Sequence, residues 1–192
     1  MKIVLGLLGA CLLLAACTEP PAPTAPTVTV TAPATLTTAP AVDPATRAWL
    51  DGFCSAIHGY RKRTNEEAAP STSQPHSVQE SQQALSEQLG GIADRAGEVV
   101  DRLAALPPAP VPLAETVRKA FAEKYATARD RARDAKTALD RAKPGDIASQ
   151  NPAVKALEQA QQDVDGTYDP VAPLVESREL VTAAAVTPGC KA

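Results

Sequence analysis

Cys54 and His58 stand four residues apart, one helical turn, so a thiol and an imidazole would share a helix face. A thiolate needs a basic neighbour to act as a nucleophile, which makes a reactive cysteine one reading of this pair. The two histidines, His58 and His76, fall on different elements, and no C-x-x-C or H-E-x-x-H occurs, so neither is expected to ligate a metal. No G-x-G-x-x-G, phosphate-binding loop or G-x-S-x-G elbow is present, which leaves nucleotide and hydrolase chemistry without support. Carboxylates are plentiful but alternate with bases at helix-surface spacing, as in Glu98 with Arg102 and Lys136 with Asp140, the pattern of a solvated face. No catalytic residue, cofactor or metal is expected, and an enzyme is the least favoured class. Two basic clusters could meet anionic head groups or polymer phosphates: Arg61-Lys62-Arg63, and Arg129, Arg131 and Arg133. The plainer readings are complementarity of the first to a helix C-terminal dipole, and pairing of the second with acidic helices.

The N-terminus is the most specific part of the chain. Lys2 supplies one positive charge, and Ile3–Ala16 is an uncharged, mostly aliphatic run. Fourteen helical residues fall well short of a hydrocarbon core about 30 Å thick, so the run has the form of a secretory signal rather than a spanning helix. It closes on Leu14-Ala15-Ala16-Cys17, which resembles the lipobox of bacterial lipoproteins. That resemblance implies acylation of the Cys17 sulfur with diacylglycerol, cleavage before Cys17, and a location at the extracytoplasmic face of the cell membrane. Two or three acyl chains hold a protein stably where one does so only marginally. On this reading residues 1–16 are the signal peptide.

With Cys11 in the signal and Cys17 lipidated, Cys54 and Cys190 remain, and two thiols in an exported domain usually form one disulfide. The bond would staple the Thr187–Cys190 tail to the segment around Cys54, against the alternative of a free Cys54 next to His58. Residues 17–43 read as a tether. Thr18–Asp43 holds 8 Thr, 6 Pro and 6 Ala in 26 residues, too little bulk to bury and too many prolines for regular hydrogen bonding. A disordered, partly polyproline-like spacer is expected, with Thr27–Thr31 unsuited to a strand between its prolines. The lipobox and this Thr/Pro/Ala bias together are similar to actinobacterial lipoproteins.

Residues 44–192 must then supply the folded domain, and their periodicity is helical. Asp43-Pro44 gives a cap and a first-turn proline, followed by Trp49, Phe53, Ile57 and Tyr60 at four, four and three residues. Thr64–His76, with Pro70 and Pro75, reads as a loop. Ser77 and Glu80 form a capping box, leading into Leu85, Leu89, Ile92, Ala96, Val99, Leu103 and Leu106 at alternating spacings of four and three. Gly90, Gly91 and Gly97 weaken that helix, and predict either a close neighbour or a bend. A third helix from Pro112 to Lys143 repeats the pattern with Phe121, Tyr125, Ala128, Ala132, Ala135, Leu139 and Ala142. Asn151-Pro152 reads as the start of a fourth through Val154, Leu157, Val164 and Tyr168, broken or kinked at Asp169-Pro170.

The formal net charge is −3, with 19 basic and 22 acidic residues, so a nucleic-acid partner is not expected. Charge alternates by segment: residues 44–63 carry 4 basic and 1 acidic, 64–106 carry 2 and 7, 115–143 carry 9 and 5, and 144–192 carry 3 and 7. Opposite signs on successive helices favour an all-α, up-down four-helix bundle. The function expected is a non-catalytic binding or scaffolding module at the cell envelope, engaging an envelope protein or cell-wall polymer. The alternative is a carrier of an apolar ligand or lipid held between helices, for which alanine seams leave little volume unless Gly90, Gly91 and Gly97 open a cleft.

Overall fold

A computed structural model describes residues 42–67 and 75–191. Cys17, the signal and nearly all of the tether lie outside the described residues, as does the Thr27–Thr31 stretch. The described chain is all-α: α1 (Pro44–Glu67), α2 (Val78–Ala104), α3 (Pro112–Arg141), α4 (Ile147–Asp163) and α5 (Arg178–Val186), with single 3-10 turns at Ala172–Leu174 and Pro188–Cys190. Side-chain pairs run in opposite order along neighbours, Arg63 with Glu98 and Glu67 with Arg95 for α1 and α2. Gln82 with Leu139 and Arg118 with Leu103 do the same for α2 and α3. The helices therefore alternate up and down.

Local chemistry sets the ends. The Asp43 carboxylate accepts from Thr46 N at 2.8 Å and from Thr46 Oγ1 at 3.0 Å, holding the first turn of α1. Ser77 Oγ accepts from Glu80 N at 3.1 Å, while Glu80 reaches past the cap to His76 N at 2.6 Å. Gln82 is buried between α2 and the end of α3, donating to Leu139 O and accepting from Gly145 N at 2.8 Å, so one amide closes α3 and fixes the turn to α4. Gly145 holds φ of 78° in that turn, a conformation other residues adopt at a penalty.

The core is aromatic on one side and aliphatic on the other. Trp49 stacks on Phe53 at 5.0 Å, Phe53 leans on Phe121 at 5.3 Å, and Tyr60 meets Tyr125 edge-on at 5.0 Å. The α2 seam is buried from Leu85 to Leu103, with Leu106 partly so, and Ala128 and Ala132 of α3 are fully covered. The glycines of α2 serve close approach. The aliphatic stem of Lys136 crosses Gly90, and that of Arg129 crosses Gly97, where a Cβ would stand 3.3 and 3.5 Å from them.

Two boundaries differ from the sequence expectation, while the break expected at Asp169-Pro170 is present. Residues Thr64–Glu67 are helical rather than loop, extending α1. α4 begins at Ile147, because Asp146 accepts from Ala148 N at 3.0 Å and starts the helix one turn before Asn151; Pro152 sits inside it. Its inward face is Ala153, Leu157, Ala160 and Val164, so Val154 is exposed, and Tyr168 lies beyond the helix. The last helical region is broken: Asp169 Oδ1 accepts from Val171 N and Ala172 N, and Ser177 caps a separate α5. α1 packs chiefly on α2, α5 and the Pro188–Cys190 turn, while α4 packs on α3 and α2.

Candidate functional sites

Cys54 and Cys190 form a disulfide, with Cα atoms 4.8 Å apart across 136 residues of chain. The tail is held by more than sulfur. Gly189 N donates to Asp51 Oδ1 at 2.8 Å, and its carbonyl accepts from His58 Nδ1 at 2.9 Å. The imidazole proton facing that carbonyl is therefore on Nδ1. A Cβ at position 189 would stand 2.4 Å from Ser55 Oγ and 2.6 Å from Asp51 O, so only glycine lets the tail lie this close to α1. Cys54 and His58 share a face, as their spacing predicts, but both are engaged with the tail. The free-thiol reading is replaced by a covalent clamp.

Beside the clamp runs an open groove of about 520 Å³, lined by His58, Arg61, Lys62, Asn65 and Lys191 among others. The Arg61-Lys62-Arg63 cluster does not sit at the end of α1, which continues to Glu67, so dipole complementarity does not account for it. Its members diverge: Arg61 donates to Tyr168 O at 3.1 Å, Arg63 pairs with Glu98, and Lys62 stays mostly exposed near Glu66. The α3 arginines also separate. Arg131 forms a two-pronged pair with Asp163 of α4 at 2.6 and 3.3 Å, Arg129 binds its neighbour Asp130, and Arg133 is exposed.

A second site was not anticipated. Arg95 projects from the core side of α2 and is buried, its side chain 9% exposed, between Tyr60 and the ends of α1 and α4. Burial lowers its pKa from the usual arginine value, Tyr60 opposing and Arg63 adding to the shift. The guanidinium remains charged throughout the physiological range. It lines a cleft of about 220 Å³ with Thr64 and Glu67 of α1, Gln88 and Ile92 of α2, and Leu157 of α4. Among the described residues four buried side-chain polar atoms lack a hydrogen bond of good geometry, and three of them are here: Arg95 Nε, Arg95 Nη1, which contacts Glu67, and Thr64 Oγ1, which lies beside the Tyr60 hydroxyl. Nη1 faces the Glu67 carboxylate as an ion pair. Gly91, one turn before Arg95, makes this possible: a Cβ there would lie 2.9 Å from Nη1 and 3.1 Å from Glu67 Oε2. The available signal was an arginine three residues after Ile92 and one before Ala96, on the edge of an apolar seam beside paired glycines.

Among the described residues there is no group of three or more His, Cys, Asp or Glu side chains placed to hold a metal ion. No described helix is long and apolar enough to cross a membrane. No known protein family, curated protein or solved structure matches the chain.

Proposed function

We propose that the protein is an exported bacterial lipoprotein, anchored through Cys17 at the extracytoplasmic face of the cell membrane, whose helical bundle is a non-catalytic binding or scaffolding module. The observation that carries this reading is where the tether enters. α1 starts directly after the Thr/Pro/Ala segment and is also the helix bonded to the C-terminal tail through Cys54–Cys190. The first helix after the tether is thus bonded covalently to the C-terminal turn. The basic groove of His58, Arg61, Lys62 and Lys191 offers an anionic envelope protein or polymer a complementary face. The apolar-carrier alternative has less support, because the Lys136 and Arg129 stems occupy the space above Gly90 and Gly97.

Intact mass and membrane partition of the chain from its native host test the anchor. The expected product begins at Cys17, carries acyl mass and sediments with membrane, while Cys17→Ser is released from it. An unacylated chain retaining residues 1–16 would contradict the reading.

A further inference from the structure

We propose that the cleft between α1, α2 and α4 binds a small carboxylate, which the Arg95 guanidinium accepts in exchange for the Glu67 side chain. The planar guanidinium fork presents donors at the spacing of carboxylate oxygens, and such pairs form two parallel hydrogen bonds. Arg95 is held out of water, its Nε makes no hydrogen bond, and among the described residues its one partner is the Glu67 carboxylate at Nη1. Its present counter-ion is a side chain 55% exposed at the last described turn of α1, which can turn into solvent once another carboxylate takes its place on Arg95. The bare backbone at Gly91 gives a carboxylate room to lie against the guanidinium.

The remaining walls narrow the ligand. Thr64 Oγ1 and the Gln88 and Gln161 amides can meet an amide or hydroxyl next to the carboxylate, while Ile92 and Leu157 offer an apolar wall to a short side chain. A volume of about 220 Å³ lies below the roughly 300–1,000 Å³ of drug-sized pockets, and suits one amino-acid residue rather than a lipid chain. Two sources share this chemistry, a free acyl amino acid and the C-terminal residue of a peptide. The inference rests on the binding half of the proposed function and is independent of the anchor, which membrane partition reads separately.

The test follows the ¹⁵N signal of Arg95 Nε in the full exported chain, assigned with Arg95→Met, during titration with N-acetylalanine, N-acetyl-alanylalanine, their C-terminal amides and inorganic phosphate. The expected result is a saturable shift with the carboxylates and none with the amides. Glu67→Gln, which removes the competing charge, tightens binding by about tenfold, and Arg95→Met, followed by calorimetric titration with the same ligands, abolishes it while thermal unfolding shows the fold intact. Tighter binding of the dipeptide assigns the site to peptide termini, and tighter binding of N-acetylalanine assigns it to free acids. The inference is overturned if no carboxylate moves the Arg95 signal in wild type or Glu67→Gln, if amides act equally, if Glu67→Gln fails to tighten binding, or if phosphate binds more tightly than every carboxylate.

Discussion

Two successive stretches of α1 are built on opposite terms. From Asp51 to His58 the helix grips the tail with a disulfide, two hydrogen bonds to Gly189 and a contact too close for any Cβ. From Thr64 to Glu67 the same helix faces Arg95 with polar atoms left over and a carboxylate that is half in solvent. The first stretch spends its polar groups on holding the fold; the second keeps them open to another molecule. Buried polar groups are ordinarily satisfied, so a concentration of unsatisfied ones is where binding is best sought.

The contrast is broken most severely at the disulfide. Cys54→Ser with Cys190→Ser should lower stability by roughly 3–5 kcal/mol, as expected for a bridge that closes nearly the whole domain, read by urea unfolding. Gly189→Ala should come next, at about 1–3 kcal/mol, because the added methyl meets backbone and the Ser55 hydroxyl with nowhere to move. Gly91→Ala makes the sharper comparison. There the methyl meets only the far ends of Arg95 and Glu67, and helix propensity improves by up to about 1 kcal/mol, so the net change should be near zero although the ion pair is displaced. A loss at position 91 as large as that at 189 would erase the distinction between clamp and cleft. Arg95→Met should leave stability within about 1 kcal/mol of wild type or raise it, since replacing a poorly satisfied buried charge by an apolar side chain is often neutral. A Tm drop as large as that from the cysteine variant would make Arg95 a structural residue instead.

The smallest effect belongs to a surface pair. Hydrogen bonding from Arg118 holds the Glu115 carboxyl at about 2, below its ordinary 4.5, in the first turn of α3. A folded-state value below the unfolded one means that its contribution is fully present above pH 4.5 and is lost as pH falls toward 2. Glu115→Gln should lower stability slightly at neutral pH and leave it unchanged near pH 2, which flattens that part of the acid-unfolding profile.

The seams of α2 and α3 were legible because alternating spacings of four and three are a one-dimensional imprint of helix packing, and they are buried as their spacing demands. The cysteine pair was legible by elimination once the N-terminal resemblance had removed Cys11 and Cys17 from the count. The end of α1 was not. Thr64–Glu67 looks like loop on composition, and across from it stand Glu98 and Arg95, partners distant in sequence that pair with Arg63 and Glu67. The start of α4 was hidden for a local reason: Asn151-Pro152 imitates a cap, yet Asp146 provides one a turn earlier and the helix absorbs a proline near its beginning. Arg95 was counted among the surface charges of an acidic helix, and only the placement of Tyr60, Thr64 and Leu157 around it turns it into a buried anchor.

In-cell crosslinking of the tagged chain in its native host, with Cys17→Ser and Arg95→Met as parallel strains, tests the central claim most directly. A tethered binding module predicts one envelope partner recovered with the wild type and lost without the anchor; its loss from the Arg95→Met strain as well assigns the contact to a peptide terminus in the cleft, and its retention there assigns the contact to the groove beside the clamp. Recovery of the same partner at equal yield with and without the anchor would contradict the account.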